Sequence, residues 1–507
     1  MTKRLLALLA VLALLLCGCG EQQQGEQSGT CQTHADGDDN GICDDCGSTV
    51  IVVLDLYAIN DLHGKIADAS THPGVDEMTT YLRNAMDTDD NVVLLSSGDM
   101  WQGSSESNMT KGHLTTDWMN ELDFAAMTLG NHEFDWGEDP VQSNAELAEF
   151  PLLAINIYDR ATNKQAAYCQ SSVMVERSGV QIGIIGAIGD CYSSIAPDKV
   201  EDIYFKTGSE LTELVKQESQ RLRSQGADFI VYSIHDGFEQ SKGASVTQVT
   251  GRQLSYYYDT SLSNGYVDLV FEGHTHQRYL LQDEYGVYHL QNGGDNKGIS
   301  HAEVIINPVA GTSRVLEAEL VTASTYARLE DDPIVQELLD RYDDQISPAL
   351  RLVGTNAEPR QRDDMRQLVA DLYYQAGLEK WGQEYDIALG GGFISIRDPG
   401  YLAAGEVTYA MLQALFPFDN ELVLCSIKGR DLMERFFESD HYSYFISYGL
   451  YGEQVRGSID PNGTYYVIVD TYSSTYGPNR LTEIARYGEN IFARDLLADY
   501  IESGGLN

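Results

Sequence analysis

The chain has 507 residues, long enough for two domains that each bury a core of their own. Its 33 Lys and Arg stand against 77 Asp and Glu, a formal net charge of −44, which argues against nucleic-acid polymers and anionic lipid surfaces as partners. An anionic substrate must therefore meet positive charge that is concentrated locally, from bound metal ions and a few arginines.

In chain order, Met1-Thr2-Lys3-Arg4 and the apolar run from Leu5 to Leu16 have the layout of a secretory signal. The run is short of the roughly 20 residues that span a bilayer. It ends in Leu16-Cys17-Gly18-Cys19, which resembles a bacterial lipobox. Residues 1–18 then form the signal peptide, and lipid on Cys19 anchors an extracytoplasmic chain to the membrane; plain cleavage and release is the simpler alternative. Residues 19–50 read as an acidic, Cys-containing linker whose Glu21 to Gly29 stretch is a flexible tether. Cys31, His34, Cys43 and Cys46 follow the spacing C-x2-H-x8-C-x2-C of a small zinc knuckle, while Asp36, Asp38, Asn40, Gly41 and Asp44 mimic the start of a calcium loop. A solvated linker with inert cysteines fits the same residues, and all three readings stay open. Eight cysteines do not make a disulfide framework. A Cys169–Cys191 bridge flanking a hairpin expected over Ala167 to Ala187 stays open as well, and Cys425 reads as a buried thiol.

From residue 51 to 325, apolar runs alternate with amphipathic stretches such as Val75 to Met86 and Gly208 to Gln225, the pattern of an α/β domain. Five of the runs end alike: Leu56 to Ile59 in Asn60-Asp61-Leu62-His63-Gly64, Val92 to Leu95 in Ser96-Ser97-Gly98-Asp99, Met127 to Leu129 in Gly130-Asn131-His132-Glu133-Phe134-Asp135, Phe229 to Ile234 in His235-Asp236-Gly237, and Leu269 to Phe271 in Glu272-Gly273-His274-Thr275-His276. Turn chemistry would explain one such ending. Five predict strands that deliver His, Asp and Asn to the C-terminal edge of a sheet, where open α/β folds build their sites. The segment 326–350, with Pro333 near its start and Pro348 near its end, is charged and helical in period and reads as a connector and hinge. Residues 351–507 form a second domain with helices over Met365 to Ala376 and Ile491 to Ser503 and strands over Glu421 to Ile427 and Tyr465 to Asp470; its Tyr442 to Tyr451 patch reads as half-buried surface.

Divalent metals used for phosphoryl hydrolysis take mixed imidazole, carboxylate and amide ligands, and ions paired about 3.5–4 Å apart need one ligand that reaches both. Asp99 is the natural bridge. Taken together, Asp61-Leu62-His63, Gly98-Asp99-Met100-Trp101-Gln102-Gly103-Ser104, Gly130-Asn131-His132-Glu133, His235 and Gly273-His274-Thr275-His276 resemble the signature of the calcineurin-like metallophosphoesterases. Gln102-Gly103-Ser104 and Phe134-Asp135 resemble its 5′-nucleotidase branch, and the likeness runs from about Val52 to Gly504. It implies an α/β fold: a two-sheet αββα catalytic domain over 51–325, followed by a smaller α/β substrate-binding domain over 351–507. It also implies two divalent ions, Zn, Mn or Fe, one on Asp61, His63, Asp99 and His276 and the other on Asp99, Asn131, His235 and His274. His132 would stand outside the ligand set as the catalytic group, oriented by Asp135, for which turn capping is the plainer role. His34, His72, His113, His289, His301 and His441 read as ordinary histidines.

In the second domain Gly390-Gly391-Gly392-Phe393-Ile394-Ser395-Ile396-Arg397, Gly405-Glu406-Val407-Thr408-Tyr409 and Leu415-Phe416-Pro417-Phe418-Asp419-Asn420 are similar to the family's C-terminal domain. The likeness assigns phosphate binding to Arg397, base stacking to Phe418 and Tyr472, and a substrate contact to Asn131; core packing is the alternative for each aromatic. Three departures bear on specificity. Four residues, Phe393 to Ile396, separate the glycines from Arg397. Arg360-Gln361-Arg362-Asp363-Asp364-Met365-Arg366-Gln367 replaces the usual Arg-Glu-x-Asn-Leu-Gly-Asn, and Ser473-Ser474-Thr475-Tyr476-Gly477 replaces a Gly-Gly-Asp-Gly that would carry a ribose-binding Asp. The expected activity is 5′-nucleotidase-like hydrolysis of nucleotide phosphoesters by metal-activated water. A 2′,3′-cyclic-nucleotide phosphodiesterase or nucleotide-sugar hydrolase is the alternative within enzymes, and a non-catalytic surface binding protein on the same fold the alternative outside them.

Overall fold

Strand β1 (Val52–Ile59) divides its side chains between two cores: Leu54, Leu56 and Ala58 enter one apolar cluster, and Tyr57 and Ile59 enter another. The computed structural model describes residues 34–68, 73–238, 265–397, 399–438, 445–448, 459–475, 481–488 and 491–506. The expected signal peptide over residues 1–18, Cys19, Cys31, His72, His441, Tyr476 and most of the Tyr442 to Tyr451 stretch lie outside the described residues.

After β1 come β2 (Val92–Ser96), β3 (Ala126–Thr128), β4 (Leu152–Leu153), β5 (Ser172–Arg177), β6 (Val180–Ile188), β7 (Phe229–His235), β8 (Leu269–Glu272), β9 (Arg278–Gln282), β10 (Tyr288–Asn292), β11 (Gly298–Asn307) and β12 (Thr312–Thr322). They build two six-stranded sheets, ordered β12-β11-β1-β2-β3-β4 and β9-β10-β8-β7-β6-β5. β1 to β4 run parallel, and so do β6, β7, β8 and β10. Between the sheets lies a core that includes Leu56, Leu95, Ile184, Val231 and Phe271. Helices α1 (Asp76–Thr88) and α2 (His113–Asn120) cover the outer face of the first sheet through Met78, Leu82, Leu114 and Trp118, and α3 (Gly208–Ser224) covers that of the second through Leu211, Val215 and Leu222. This is the expected αββα arrangement. Because the five polar-ended strands all belong to the parallel runs, their carboxyl ends share one edge. There Ser233 Oγ joins the two sheets, lying 3.1 Å from Ser97 Oγ and 2.8 Å from Thr128 Oγ1.

β5 and β6 form the expected hairpin through Ser178 and Gly179, both at positive φ. The Cys169–Cys191 bridge is absent. Ser172 pairs with Ile185, so Cys191 continues six residues past that register while Cys169 turns back toward Ala154. Both thiols are buried and free, Cys169 donating to Ala154 O at 3.6 Å and Cys191 to His235 O at 2.9 Å. Cys425 is a buried thiol as expected.

The connector is broken rather than continuous: α4 (Pro333–Arg341), capped by Asp332 accepting from Ile334 N at 3.0 Å, ends at Tyr342, whose hydroxyl donates to Asp117 at 2.9 Å. Two single turns follow, Asp343–Ile346 and Ser347–Leu350. Beyond them β13 (Ile387–Gly392), β14 (Leu422–Lys428), β15 (Phe445–Tyr448), β16 (Thr464–Asp470) and β17 (Thr482–Arg486) form a five-stranded sheet in the order β15-β13-β16-β14-β17. Helices α5 (Arg362–Trp381) and α6 (Ala493–Glu502) pack on it through Met365, Val369, Tyr373, Leu497 and Ile501. Helix α5 outruns the expected Met365 to Ala376 because Gln361 and Asp364 cap it three residues earlier.

Among the described residues, 34–51 and Asn307–Thr312 form a separate compact unit. In it Ile42 bridges Thr49, and Asp36 accepts from Asn40 N at 3.0 Å, Gly41 N at 2.8 Å and Asn307 Nδ2 at 2.6 Å. Among the described residues no helix is long and apolar enough to cross a membrane.

Candidate active site

The loops that leave β1, β2 and β8 are bent in an unusual way. Asp61, His63, Asp99, His274 and His276 all have φ between 50° and 68°, in the left-handed region. Each such residue costs roughly 1–2 kcal/mol and is held only where its surroundings fix it. Here the β1 and β2 loops fix each other: Asp61 N, His63 N and Gly64 N donate to the carbonyls of Gly98, Asp99 and Met100 at 2.9, 3.0 and 2.8 Å. Two glycines permit the approach. A Cβ on Gly98 would stand 2.7 Å from His235 Nδ1, and one on Gly130 2.3 Å from Asp99 Oδ1.

The side chains so placed make two overlapping triads, Asp61 with His63 and His276, and Asp61 with Asp99 and His235, each with ligand atoms within 4.8 Å of one another. His63 Nε2 and His276 Nε2 are 3.1 Å apart, and His276 Nε2 is 3.3 Å from Asp61 Oδ1. His235 Nε2 stands 3.0 Å from Asp99 Oδ2 and 3.2 Å from Asn131 Oδ1. His274 packs its ring on that of His235 at 5.5 Å between centroids, and its backbone N–H donates to Asp61 at 3.0 Å. Asp61 stands in both triads, whereas Asp99 Oδ1 accepts the backbone N–H of His132 at 2.9 Å and turns Oδ2 toward His235.

These residues suit divalent cations. His63 Nδ1–H donates to Gln102 O and His235 Nδ1–H to Ser97 O, both at 2.7 Å, which fixes each ring with Nε2 facing the cluster. Asp99 Oδ2 is buried and faces His235 Nε2 at 3.0 Å. A buried carboxylate oxygen needs a positive partner, which a bound cation or the protonated ring supplies. The ring of His235 shows the same demand: burial opposes its charge, yet Asp99, Asp61 and Glu133 outweigh burial and lift it to about 10. His63 and His274 go the other way, to about 3 and about 4, through burial and through His276 and His235 beside them. Neutral imidazoles are what a metal binds.

His132 stands against this cluster, its ring 5.2 Å from that of His63. Nδ1–H donates to Asp135 Oδ2 at 2.7 Å, and Arg397 Nη2 donates to Nε2 at 2.7 Å. Burial works against a charged His132, but Asp135 and Asp99 raise it above the ordinary imidazole range, with Arg397 opposing them. Phe418 lies 5.7 Å from the His132 ring and 5.3 Å beneath the Arg397 guanidinium. A cavity of about 290 Å³ opens here, lined by Asn131, His132, Arg397, Phe418, Phe393 and Tyr472 among others. All the expected site residues therefore gather at one edge.

The fold brings four further contributors to this edge that the sequence reading did not assign to the site. Buried Glu133 accepts four backbone N–H groups: Asp99 and Gly130 on Oε2 at 2.9 and 2.6 Å, Met100 and Trp101 on Oε1 at 2.8 and 3.3 Å. Burial, and then Asp99, push its carboxyl up to about 7. Phe393 is the second: its N–H donates to Ser473 Oγ at 3.0 Å and its ring lies 6.2 Å from Tyr472, so the four-residue insertion before Arg397 adds a third aromatic to the cavity. The third is a cationic pocket of about 300 Å³ beside His63 and His276, lined by Lys65, Arg362, Arg366 and Arg397. Arg366 Nε donates to Ile394 O at 3.0 Å and Arg362 to Ile396 O, so both are held against the loop that carries Arg397. Asp295 is the fourth, 2.5 Å from Lys65 Nζ and on the same pocket wall. The signal for the arginines lay in the departure at Arg360 to Gln367. A larger cavity of about 760 Å³ beside Glu138 and Tyr168 is lined by none of these residues.

Residues 54–278 match the family model of the calcineurin-like phosphoesterases. The chain is 23% identical to protein UshA of Yersinia enterocolitica over 501 residues, covering 87% of this chain and 88% of that protein. It is 22% identical to a 5′-nucleotidase of Vibrio cholerae over 81% of this chain and 82% of the other. Among solved structures, a 5′-nucleotidase precursor from Thermus thermophilus superposes with a TM-score of 0.66 at 18% identity, covering 89% of this chain and 96% of that one. Likeness of sequence and fold thus agrees with the cluster of imidazoles and carboxylates: residues 54–278 form a calcineurin-like phosphoesterase domain, and the chain is a metal-dependent phosphoric ester hydrolase with 5′-nucleotidases among its homologues.

Proposed function

We propose that the chain is an extracytoplasmic, dinuclear-metal 5′-nucleotidase-like hydrolase of nucleotide phosphoesters. The observation that carries this reading is the position of His132, held by Asp135 and Arg397 between the imidazole–carboxylate cluster and a cavity walled by aromatics. We assign one ion, Zn, Mn or Fe, to Asp61, His63, Asp99 and His276, and a second to Asp99, Asn131, His235 and His274. Bound ions of this kind supply positive charge that offsets the phosphoryl oxygens and lowers the pKa of water. The remaining work falls to the chain. Arg397 donates to a phosphoryl oxygen, as guanidinium forks do. His132 stabilises or protonates the leaving oxygen through Nε2, with Asp135 holding the ring and raising its basicity. Phe418 and Tyr472 stack on the base. The same reading places a signal peptide at 1–18, a linker at 19–50 tethered through lipid on Cys19, the catalytic domain at 51–325, the connector at 326–350 and the substrate-binding domain at 351–507.

One observation favours a second reading. The pocket of Lys65, Arg362, Arg366 and Arg397 lies beside His63 and His276 and shares Ser395 and Arg397 with the aromatic cavity. A phosphoryl group at the cluster can thus carry a further anionic substituent, as in nucleotide sugars. Product release from AMP, a 2′,3′-cyclic nucleotide and UDP-glucose, with Mn²⁺ or Zn²⁺, separates the readings. AMP turned over fastest supports the first, UDP-glucose the second. No turnover of any of them with both ions bound would overturn both and leave a binding protein.

A further inference from the structure

We propose that His34, Cys43 and Cys46, in the small N-terminal unit, bind a zinc ion whose role is to hold that unit folded. Their ligand atoms lie within 4.8 Å of one another, with Cys46 Sγ 3.5 Å from His34 Nδ1. Cys43 is 1% exposed. The backbone is shaped to present them. Residues 42–49 close as a hairpin, with the Ile42–Thr49 bridge, Cys43 N–H donating to Ser48 O and Gly47 N–H to Cys43 O, both at 2.8 Å, and Gly47 at a φ of 72°. The Cys43-Asp44-Asp45-Cys46 turn thereby carries both sulfurs at one end, and Asp44 N–H donating to Ala35 O at 2.7 Å brings His34 against them.

The choice of metal follows from what the donors already do. The carboxylates of the calcium-like pattern are spent on the loop: Asp36 on Asn40 N, Gly41 N and Asn307 Nδ2, Asp44 on Gly37 N at 2.8 Å, and Asp38 on Asn40 Nδ2 at 2.9 Å. The cysteines and the histidine form the other cluster, and thiolate with imidazole is a zinc set, whereas calcium takes oxygen. The need for a metal follows from the core. Over residues 34–51 the buried apolar side chains are Cys43 and Val50, too few to order the segment by packing. Cys31, at the matching spacing, lies outside the described residues.

The test is metal content and cobalt spectroscopy on the full chain purified without chelators. Wild-type protein is expected to carry about one more zinc per chain than Cys43→Ser or Cys46→Ser, and cobalt(II) to give a thiolate charge-transfer band in the near ultraviolet that both variants lose. Cys191→Ser, the buried thiol near His235 and His274, should keep the band, and Cys43→Ser should keep phosphoesterase activity. Equal zinc in wild type and the cysteine variants, absence of the band, or a Cys43–Cys46 disulfide in the native protein would each overturn the proposal.

Discussion

Glu133 and His132 are neighbours in sequence with opposite tasks. Asp99 offers Oδ2 to the cluster and His132 offers Nε2 to the cavity, but the shape of the Asp99 loop is set by the four amides gathered on Glu133. Asp99→Asn should abolish hydrolysis and lower bound metal in elemental analysis, because a neutral amide replaces a buried anion. His132→Ala should lower kcat by about 10²–10⁴-fold, the range for loss of a general acid, with metal content unchanged; loss of metal would show His132 to be a ligand. Glu133→Gln keeps the volume but turns one acceptor into a donor that faces amide N–H groups. Each unmet buried group costs about 1–3 kcal/mol, so thermal unfolding should shift to lower temperature and metal affinity should drop.

At the scale of elements, the edge of the second sheet has its own charge lock. His289 on β10 lies 3.0 Å from Glu272 at the end of β8 and 3.3 Å from Asp283 just beyond β9, all three buried. Burial disfavours the charged ring, yet the two carboxylates lift it to about 9. A histidine raised on folding contributes stability that is complete below its ordinary value near 6.5 and is lost as pH rises through 9. Tm should therefore fall across that window, with a slope of at most about 1.4 kcal/mol per pH unit from this group, and His289→Gln should flatten it. A slope unchanged in the variant would place the titration elsewhere.

For the whole molecule, the catalytic edge is finished by the C-terminal domain. Arg397 reaches His132, Lys111 pairs with Asp419 at 2.8 Å, and Ser105 donates to Gln413 at 2.8 Å. Arg397, Phe418 and Tyr472 sit on one side of the cavity and Asn131 and His132 on the other, so we propose that substrate entry requires the domains to part about the broken connector. Cysteines at Ser105 and Gln413 joined by a short crosslinker should slow turnover on the order of tenfold when domain opening gates the cycle. Full activity in the crosslinked chain would rule that gating out.

The five polar-ended runs were readable from the sequence because a strand and the break at its end are local patterns, and parallel topology guarantees that such ends meet. Asp61, His63, Asp99, Asn131, His235, His274 and His276 were legible on that ground, as were the α/β class and the β5–β6 hairpin. The left-handed backbone at Asp61, His63, Asp99, His274 and His276 was not, since it depends on one loop bonding to another. Nor were the tautomers of His63 and His235, which are set by carbonyls 39 and 138 residues away. The open disulfide between Cys169 and Cys191 failed for the same reason, because register decides proximity and spacing does not. Sequence determined which residues arrive at the edge; tertiary structure alone decided which atoms they turn toward one another, and that Lys65, Arg362, Arg366 and Phe393 stand beside them, because these contacts join segments tens to hundreds of residues apart.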